Sequence, residues 1–225
     1  MFNSVRFFYT DYTMGSKDRI QKIKDDTRCN ILAASLDIVK EEGWAALSMR
    51  KIADKIDYTA PIIYEYFSNK DAILRELTRM GYVKLANKMQ EAAAEHADPA
   101  KQLEVMWMAY WNFAFENPEL YKAMYGVEMN CCAVENQCPD ITAPMNMLWD
   151  KIEEITPEDQ RSEAYIDRKY YTFWSVVHGL ISINLTRQLT SEQLNRQVLR
   201  DAITGIINSI KYPQILEEVQ ASSQV

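Results

Sequence analysis

Residues 47–71, LSMRKIADKIDYTAPIIYEYFSNKD, constrain the fold of this 225-residue chain more than any other stretch. Met49, Ile52, Ala53 and Ile56 recur at the spacing that lines one face of a helix with apolar side chains. Ser48 stands where an N-cap hydroxyl satisfies an orphan amide of the first turn. Asp57 follows at the point where the chain must turn, and after Gly the residues that best tolerate a left-handed backbone are Asp and Asn. Thr59 is a second N-cap, with Pro61 behind it in the first turn, where a missing N–H costs little. Ile63, Tyr66 and Phe67 give the second helix its apolar side. Two short helices joined by a tight turn form a helix-turn-helix, the unit that sets its second helix in the DNA major groove. On periodicity alone, an ordinary helical hairpin fits as well.

Residue detail separates the two readings. Ile31-Leu32-Ala33-Ala34, Glu42-Gly43, Leu47-Ser48-Met49-Arg50, Ile52-Ala53, Ile63-Tyr64, Tyr66-Phe67, Ser68, Lys70-Asp71 and Leu74 resemble the tetracycline-repressor (TetR) family of bacterial transcription regulators over roughly fifty residues. Asp57 departs from the pattern, since the family usually has Gly there, so the turn is expected to carry some strain. The resemblance implies an all-α fold: an N-terminal three-helix helix-turn-helix DNA-binding domain, then a larger helical domain for ligand binding and dimerisation.

Composition agrees. Few glycines, many strong helix formers and little β-branched alternation predict helices throughout. No apolar run approaches the roughly 20 residues of a membrane span. Four cysteines do not make a disulfide scaffold in a chain this long, so a reducing cytoplasm is expected. The net charge of −7 is unsuited to DNA as a total, but the charge is unevenly distributed. Residues 17–79 hold twelve Lys/Arg against eleven Asp/Glu, and residues 80–225 hold twelve against twenty. The acidity belongs to the C-terminal part, and a locally positive face can still meet phosphates in a salt-sensitive way.

The chain is expected to divide into a disordered tail (1–16), a DNA-binding domain (17–79) and a ligand-binding and dimerisation domain (80–225). The tail is aromatic and nearly uncharged, without the pattern of a signal peptide; translation starting at Met14 instead of Met1 would account for it. A first helix over residues 17–42 carries the stripe Ile20, Ile23, Thr27, Ile31, Leu32, Ala34, Leu36, Ile38 and Val39, and Gly43 stops it. Its early cations, Lys17, Arg19, Lys22, Lys24 and Arg28, read either as a solvated face or as backbone contacts to DNA. At the front of the second helix of the motif, Tyr58, Thr59, Ala60, Pro61 and Ile62 can meet base edges. Thr59 can hydrogen-bond, and Ala60, Pro61 and Ile62 can touch thymine methyl groups. No Arg or Asn is present for bidentate readout, so DNA shape is expected to contribute. Ser48 and Arg50 can reach phosphates from the preceding helix; the resemblance adds Tyr64 and Lys70.

A connecting helix over 70–96 follows, then two helices separated at Asn117-Pro118. The first is dense in Trp107, Tyr110, Trp111, Phe113 and Phe115, and Tyr121, Tyr125 and Met129 continue the series. Most such stripes are core, yet polar-tipped Tyr and Trp with adaptable Met also suit the lining of a cavity for a small hydrophobic molecule. A further helix pair is expected from Pro144. The long helix over 159–189 contains Phe173, Trp174 and His178. Trp174, His178 and Gly179 resemble the Trp-His-Gly signature of one TetR branch, with three residues between Trp and His. Trp107, Tyr110, Trp111, Tyr125, Met129, Phe173, Trp174 and His178 form the expected ligand pocket, although a satisfied core histidine is the plainer reading of His178. The last helix, over 191–211, is amphipathic like the long one, and in the family these two pair across a two-fold axis.

The expectation is therefore a homodimeric, ligand-responsive regulator of a palindromic double-stranded DNA operator, most simply a repressor released by a small hydrophobic effector, with no metal and no cofactor. A thiol or metal sensor using Cys131, Cys132 and Cys138 is one alternative, although their spacing does not match a zinc site. A helical binding protein or enzyme with a degenerate helix-turn-helix is another, although no nucleophile–His–acid set and no Gly-rich phosphate loop is present.

Overall fold

A computed structural model describes residues 15–125, 138–186 and 191–213. The described residues form helices α1 (Ser16–Glu42), α2 (Met49–Lys55), α3 (Ala60–Tyr66), α4 (Lys70–Ala94), α5 (Pro99–Glu116), α6 (Pro118–Tyr125), α7 (Pro139–Ile155), α8 (Glu163–Thr186) and α9 (Glu192–Lys211), and no strand. The chain divides into two compact units after Ile73, inside α4.

In the first unit, the second half of α1 buries Ile31, Leu32, Ala34, Ile38 and Val39, and α2 and α3 supply Met49, Ile52, Ala53 and Ile63. Gly43 ends α1 at φ 83°, a conformation open to glycine, and its N–H closes on the Val39 carbonyl at 2.8 Å. A single 3-10 turn, Trp44–Ala46, leads into α2. Ser48 caps α2 as expected, its hydroxyl accepting from the Lys51 N–H at 3.2 Å. Asp57 adopts φ 58°. The Tyr58 N–H reaches back to the Ala53 carbonyl at 3.0 Å, the six-to-one bond of a Schellman closure. The turn is thus the left-handed one the sequence implies, built without the usual glycine.

The start of α1 differs from expectation. Ile20 and Ile23 are 53% and 56% exposed, because residues 15–26 project beyond the other described elements of this unit and have nothing to pack against. The apolar stripe begins in earnest at Thr27. Of the expected tail, residues 1–14, Met14 among them, lie outside the described residues, and Ser16 already belongs to α1.

In the second unit, α5 is buried on nearly every side: Leu103, Met106, Trp107, Tyr110, Trp111, Phe113 and Ala114 are all in the core. A helix apolar all round needs neighbours all round, and α6, α7, α8 and α9 each pack on it. Asp98 caps it through the amides of Ala100 and Lys101. Gly81 lets α4 approach α6 closely: a Cβ there would fall 2.6 Å from the Met124 Sδ. The helix pair expected from Pro144 is corrected, since α7 begins at Pro139, the N1 position behind Cys138, and carries Pro144 in its second turn. Only the bond to the Asp140 carbonyl is forfeited, so the helix continues. The helix expected over 159–189 is shorter as well. Pro157 leads into a 3-10 turn, Glu158–Gln160, and α8 starts only after the Ser162 carbonyl accepts from Tyr165 and Ile166. No described helix is long and apolar enough to cross a membrane.

The left-handed Asp57 gives a direct test. Asp57→Gly removes the Cβ from a strained backbone and should stabilise the protein by about 0.5–1 kcal/mol, read as a higher urea midpoint with an unchanged m-value. An unchanged or lower midpoint would show the turn to be unstrained.

Candidate functional site

The helix-turn-helix places its candidate contact residues on the outside. α3 has seven residues, and Ile63 anchors it with no exposed surface while Tyr64 on the other side is 54% exposed. Tyr58, Thr59 and Pro61 are exposed, and Ala60 and Ile62 are half-buried. Thr59 occupies the N-cap position by backbone geometry, but its hydroxyl makes no capping bond. That hydroxyl is therefore available to an outside partner. Ser48 and Arg50 are both exposed at the start of α2.

The neighbouring cations have structural duties. The Lys70 ammonium donates to the Trp44 carbonyl at 2.9 Å and so ties the start of α4 to the 3-10 turn. Two of its three N–H donors remain for other partners. The Arg28 guanidinium lies 4.4 Å from the Phe67 ring centroid and donates to the Tyr66 carbonyl, closing the end of α3. Lys51 pairs with Glu42, and Lys55 pairs with Glu41 at 2.8 Å, which raises the Lys55 pKa through that hydrogen bond. Much of the positive charge of α2 is thus matched by the acidic end of α1.

The second unit contains a cavity of about 490 Å³. Tyr82 of α4, Tyr110 of α5 and Tyr125 of α6 line one part of it. From α7 come Ile141, Thr142, Pro144, Met145 and Leu148, and from α8 Tyr170, Tyr171 and Trp174. No charged side chain belongs to the described lining. The rings interlock: Tyr82 meets Tyr125 edge-on at 5.8 Å, and Tyr125 lies 6.1 Å from Tyr110 and 6.3 Å from Trp174. Burial pushes the Tyr110, Tyr125 and Tyr170 phenols upward, so they stay protonated. The Tyr110 hydroxyl, in a residue only 2% exposed, interacts with the Tyr121 and Tyr125 hydroxyls, which add to burial in holding its pKa up.

Three of the expected pocket residues, Tyr110, Tyr125 and Trp174, come together here. Trp107 and Phe173 do not line the cavity: they stack on each other at 5.4 Å with no exposed surface, a core pair. Trp111 faces a separate, polar cavity of about 560 Å³, with Asn112, Asn184 and Asn195. His178 stacks on Trp174 at 4.8 Å, behind the lining, and its Nδ1 and the Tyr121 hydroxyl share a hydrogen bond at 2.5 Å. Met129 lies outside the described residues, as do Cys131 and Cys132. Cys138 is half-buried at the N-cap of α7, and no group of three metal-binding side chains occurs among the described residues. Tyr82, Tyr170 and Tyr171 are cavity residues that the sequence reading missed. The available signal was their polar-tipped aromatic character, with Tyr170 and Tyr171 one helical turn before Trp174. The residues of α7 were missed because its start was misplaced.

Comparison with known proteins follows the same two units. Residues 31–77 match the model of "Bacterial regulatory proteins, tetR family", and residues 103–205 match "Tetracyclin repressor-like, C-terminal domain". An HTH-type transcriptional regulator from Bacillus subtilis, YobS, is 30% identical over 97 residues, covering 43% of this chain and 50% of that protein. The HTH-type transcriptional repressor KstR of Mycobacterium tuberculosis is 30% identical over 100 residues, covering 44% of this chain and 45% of that one. The chain thus spans about half the length of the curated relatives it matches. A solved structure from Rhodococcus sp. RHA1, of a protein with unknown function, shares the fold at a TM-score of 0.69 and 18% identity, covering 90% of this chain and 99% of that one.

His178 provides a pH test. Burial lowers its pKa below the ordinary 6.5. Burial thus favours the neutral ring in the folded state, and below the unfolded value the unfolded chain binds more protons. Stability should fall as pH drops from about 7.5 to about 5.5. Urea unfolding at the two pH values should show a smaller loss in His178→Phe; an equal loss would remove His178 as a cause.

Proposed function

We propose a function from one premise: the chain belongs to the tetR family of bacterial regulatory proteins. It is a sequence-specific DNA-binding transcription regulator, most simply a repressor, that releases its operator when a small, mainly apolar molecule occupies the cavity of its second unit. The observation that carries this reading is the coexistence in one chain of an outward-facing α3 and an aromatic cavity with no charged side chain in its described lining. The two curated relatives named above are described as transcription regulators, which supports regulation over catalysis.

In this reading α3 enters the major groove. Thr59, whose hydroxyl makes no capping bond, bonds to a base edge or a phosphate, and Tyr58, Ala60, Pro61 and Ile62 make apolar contacts and sense groove shape. Ser48, Arg50, Tyr64 and Lys70 hold phosphates, Lys70 with the donors left after its bond to Trp44. Arg50→Ala should weaken binding about equally across DNA sequences and lower the salt slope by about one unit. Thr59→Ala should mainly relax selectivity. Fluorescence anisotropy against the DNA flanking the chain's own gene, at two salt concentrations, measures both. Binding no tighter than to random DNA would overturn the reading.

The working form is a homodimer in the cytoplasm, and it reads a palindromic operator. Outside the core, α8 exposes Val176 and Ile183 and α9 exposes Leu194 and Val198. Gly179 and Gly205 have nothing within 4 Å of a built Cβ, leaving room for close approach by another helix. A second copy of the same face would cover these side chains in a two-fold interface. Ile183→Glu with Val198→Glu should yield a monomer by light scattering and reduce operator affinity at least tenfold, since the two half-sites are no longer linked. A dimer that survives both charges would place the interface elsewhere. The stacked Trp174 and His178 support assignment to the Trp-His-Gly branch as part of the same proposal.

A further inference from the structure

We infer that Arg28, on α1, is a positioning residue for sequence selectivity: by clamping the point where the chain leaves α3, it sets the angle at which Thr59 and its neighbours meet the bases. This inference rests on α3 being the DNA-reading helix, as proposed above, and names a residue that governs how it reads.

The buried anchors of α3 lie in its back half. Ile63 has no exposed surface, and Phe67, just past the last turn, is almost wholly buried, whereas residues 58–62 contribute no fully buried side chain. At the front, the Thr59 hydroxyl makes no capping bond. The chain leaves the helix at Phe67 in an extended conformation, φ −138° and ψ 122°, and there Arg28 holds two neighbouring groups at once. Its guanidinium lies over the Phe67 ring, 4.4 Å from the centroid, and its Nη1 donates to the Tyr66 carbonyl at 3.4 Å. A planar cation can stack on a ring and donate from its edge, which the point charge of a lysine does less well. The Tyr66 carbonyl stands at the end of the helix, where orphan acceptors need donors and the dipole favours a cation. Arg28 follows Thr27, the first buried residue of α1, so the clamp ties α3 to the point where α1 enters the core. Leverage then follows from helix geometry. At 1.5 Å per residue, Thr59 stands about 6 Å before Ile63 and Tyr66 about 4.5 Å after it, so a tilt about Ile63 that shifts Tyr66 by about 1 Å moves Thr59 by about 1.3 Å. A hydrogen bond to a base edge tolerates a displacement of only about half an ångström. Arg50 on α2 and Lys70 on α4 are not carried by that tilt. Loosening the clamp therefore costs base readout before it costs phosphate binding.

The test compares Arg28→Ala and Phe67→Leu, singly and together, in the full chain. Fluorescence anisotropy reads binding to the DNA flanking the chain's own gene and to random DNA, at two salt concentrations. Arg28→Ala should weaken binding to the flanking DNA about tenfold, the scale of one mismatched base pair, and leave random-DNA binding within about twofold. The salt slope should not change, because no phosphate contact is lost. Phe67→Leu keeps an apolar side chain but removes the ring, and it should act likewise. The double variant should lose little more than either single one, since both break the same clamp. Melting curves confirm that each variant is folded at the assay temperature. Should Arg28→Ala not fold, Arg28→Lys keeps the charge without the planar fork and should lose selectivity in the same direction to a smaller extent. Equal losses on both DNAs with a salt slope lower by about one unit would make Arg28 a phosphate contact and overturn the inference. So would an unchanged ratio of flanking to random affinity, or losses that add in the double variant. The unaltered chain separates this inference from the broader reading. If it does not prefer its flanking DNA, the DNA reading falls and the positioning role with it; a preference that survives in the variants overturns the positioning role alone.

Discussion

Helices of seven residues do not persist in water on their own, and both helices of the DNA-facing motif have that length. Their order is borrowed. Ile52, Ala53 and Ile63 are essentially removed from solvent, which anchors both helices in the core that α1 helps to form. At the ends, where unpaired backbone groups would otherwise unravel a short helix, side chains intervene. Ser48 caps α2, and the Schellman closure through Asp57 and Tyr58 ends it. Arg28 reaches the Tyr66 carbonyl at the end of α3, and Lys70 reaches Trp44 just before α2. Every such bond holds a backbone segment whose outer surface carries a candidate DNA contact. The precision of that surface depends on groups that never face it.

The second unit resolves a different tension. Its central helix α5 is rich in side chains with an apolar body and a polar tip, and such tips need partners when buried. On the adjoining α6, Tyr121 hydrogen-bonds with His178, whose burial favours the neutral ring. Trp107 is sealed in the core against Phe173, its indole N–H without a partner among the described residues. Tyr110 opens onto empty volume. A core selected only for stability would fill the space beside it. Keeping the void open is what binding a small molecule requires: a few polar groups held in a site that is otherwise apolar.

Much of this was legible in the sequence, for physical reasons that also explain the gaps. Asp57 could be read because few residues tolerate a left-handed backbone, so its position between two periodic segments fixed the turn. Gly43 and the Asn117-Pro118 break were legible on the same grounds of backbone chemistry. Periodicity, however, reports only that a face is apolar, not that anything covers it. Ile20 and Ile23 continue the stripe of α1 past the point where partners exist. Proline is ambiguous in the same way: Pro139 and Pro144 both suit a helix start, and only the packing of α7 distinguishes the first turn from the second. The cavity was half legible. Aromatic density marked α5, but whether a ring faces a void or another ring is a three-dimensional fact. It separated Tyr110 and Trp174 from Trp107 and Phe173, and it recruited Tyr82 from a helix that had been read only as a connection.

α4 contributes Lys70 at its start and Tyr82 to the cavity wall twelve residues later. Between them it is fixed at several points. The Thr78 hydroxyl donates to the Ala123 carbonyl at 3.3 Å, Arg79 bridges Glu76 and Asp140 at 2.8 and 2.5 Å, and Gly81 presses against Met124. Asp140 belongs to the first turn of α7, directly before the cavity residues Ile141 and Thr142. Two contacts, the Tyr82 ring and the Arg79–Asp140 pair, thus tie α4 to the wall of the cavity. Packed interfaces respond to pushes by shifting as units and not by deforming smoothly. A ligand moves such an element only through a difference in its affinity for two arrangements. A ligand that fits both equally shifts nothing, however tightly it binds.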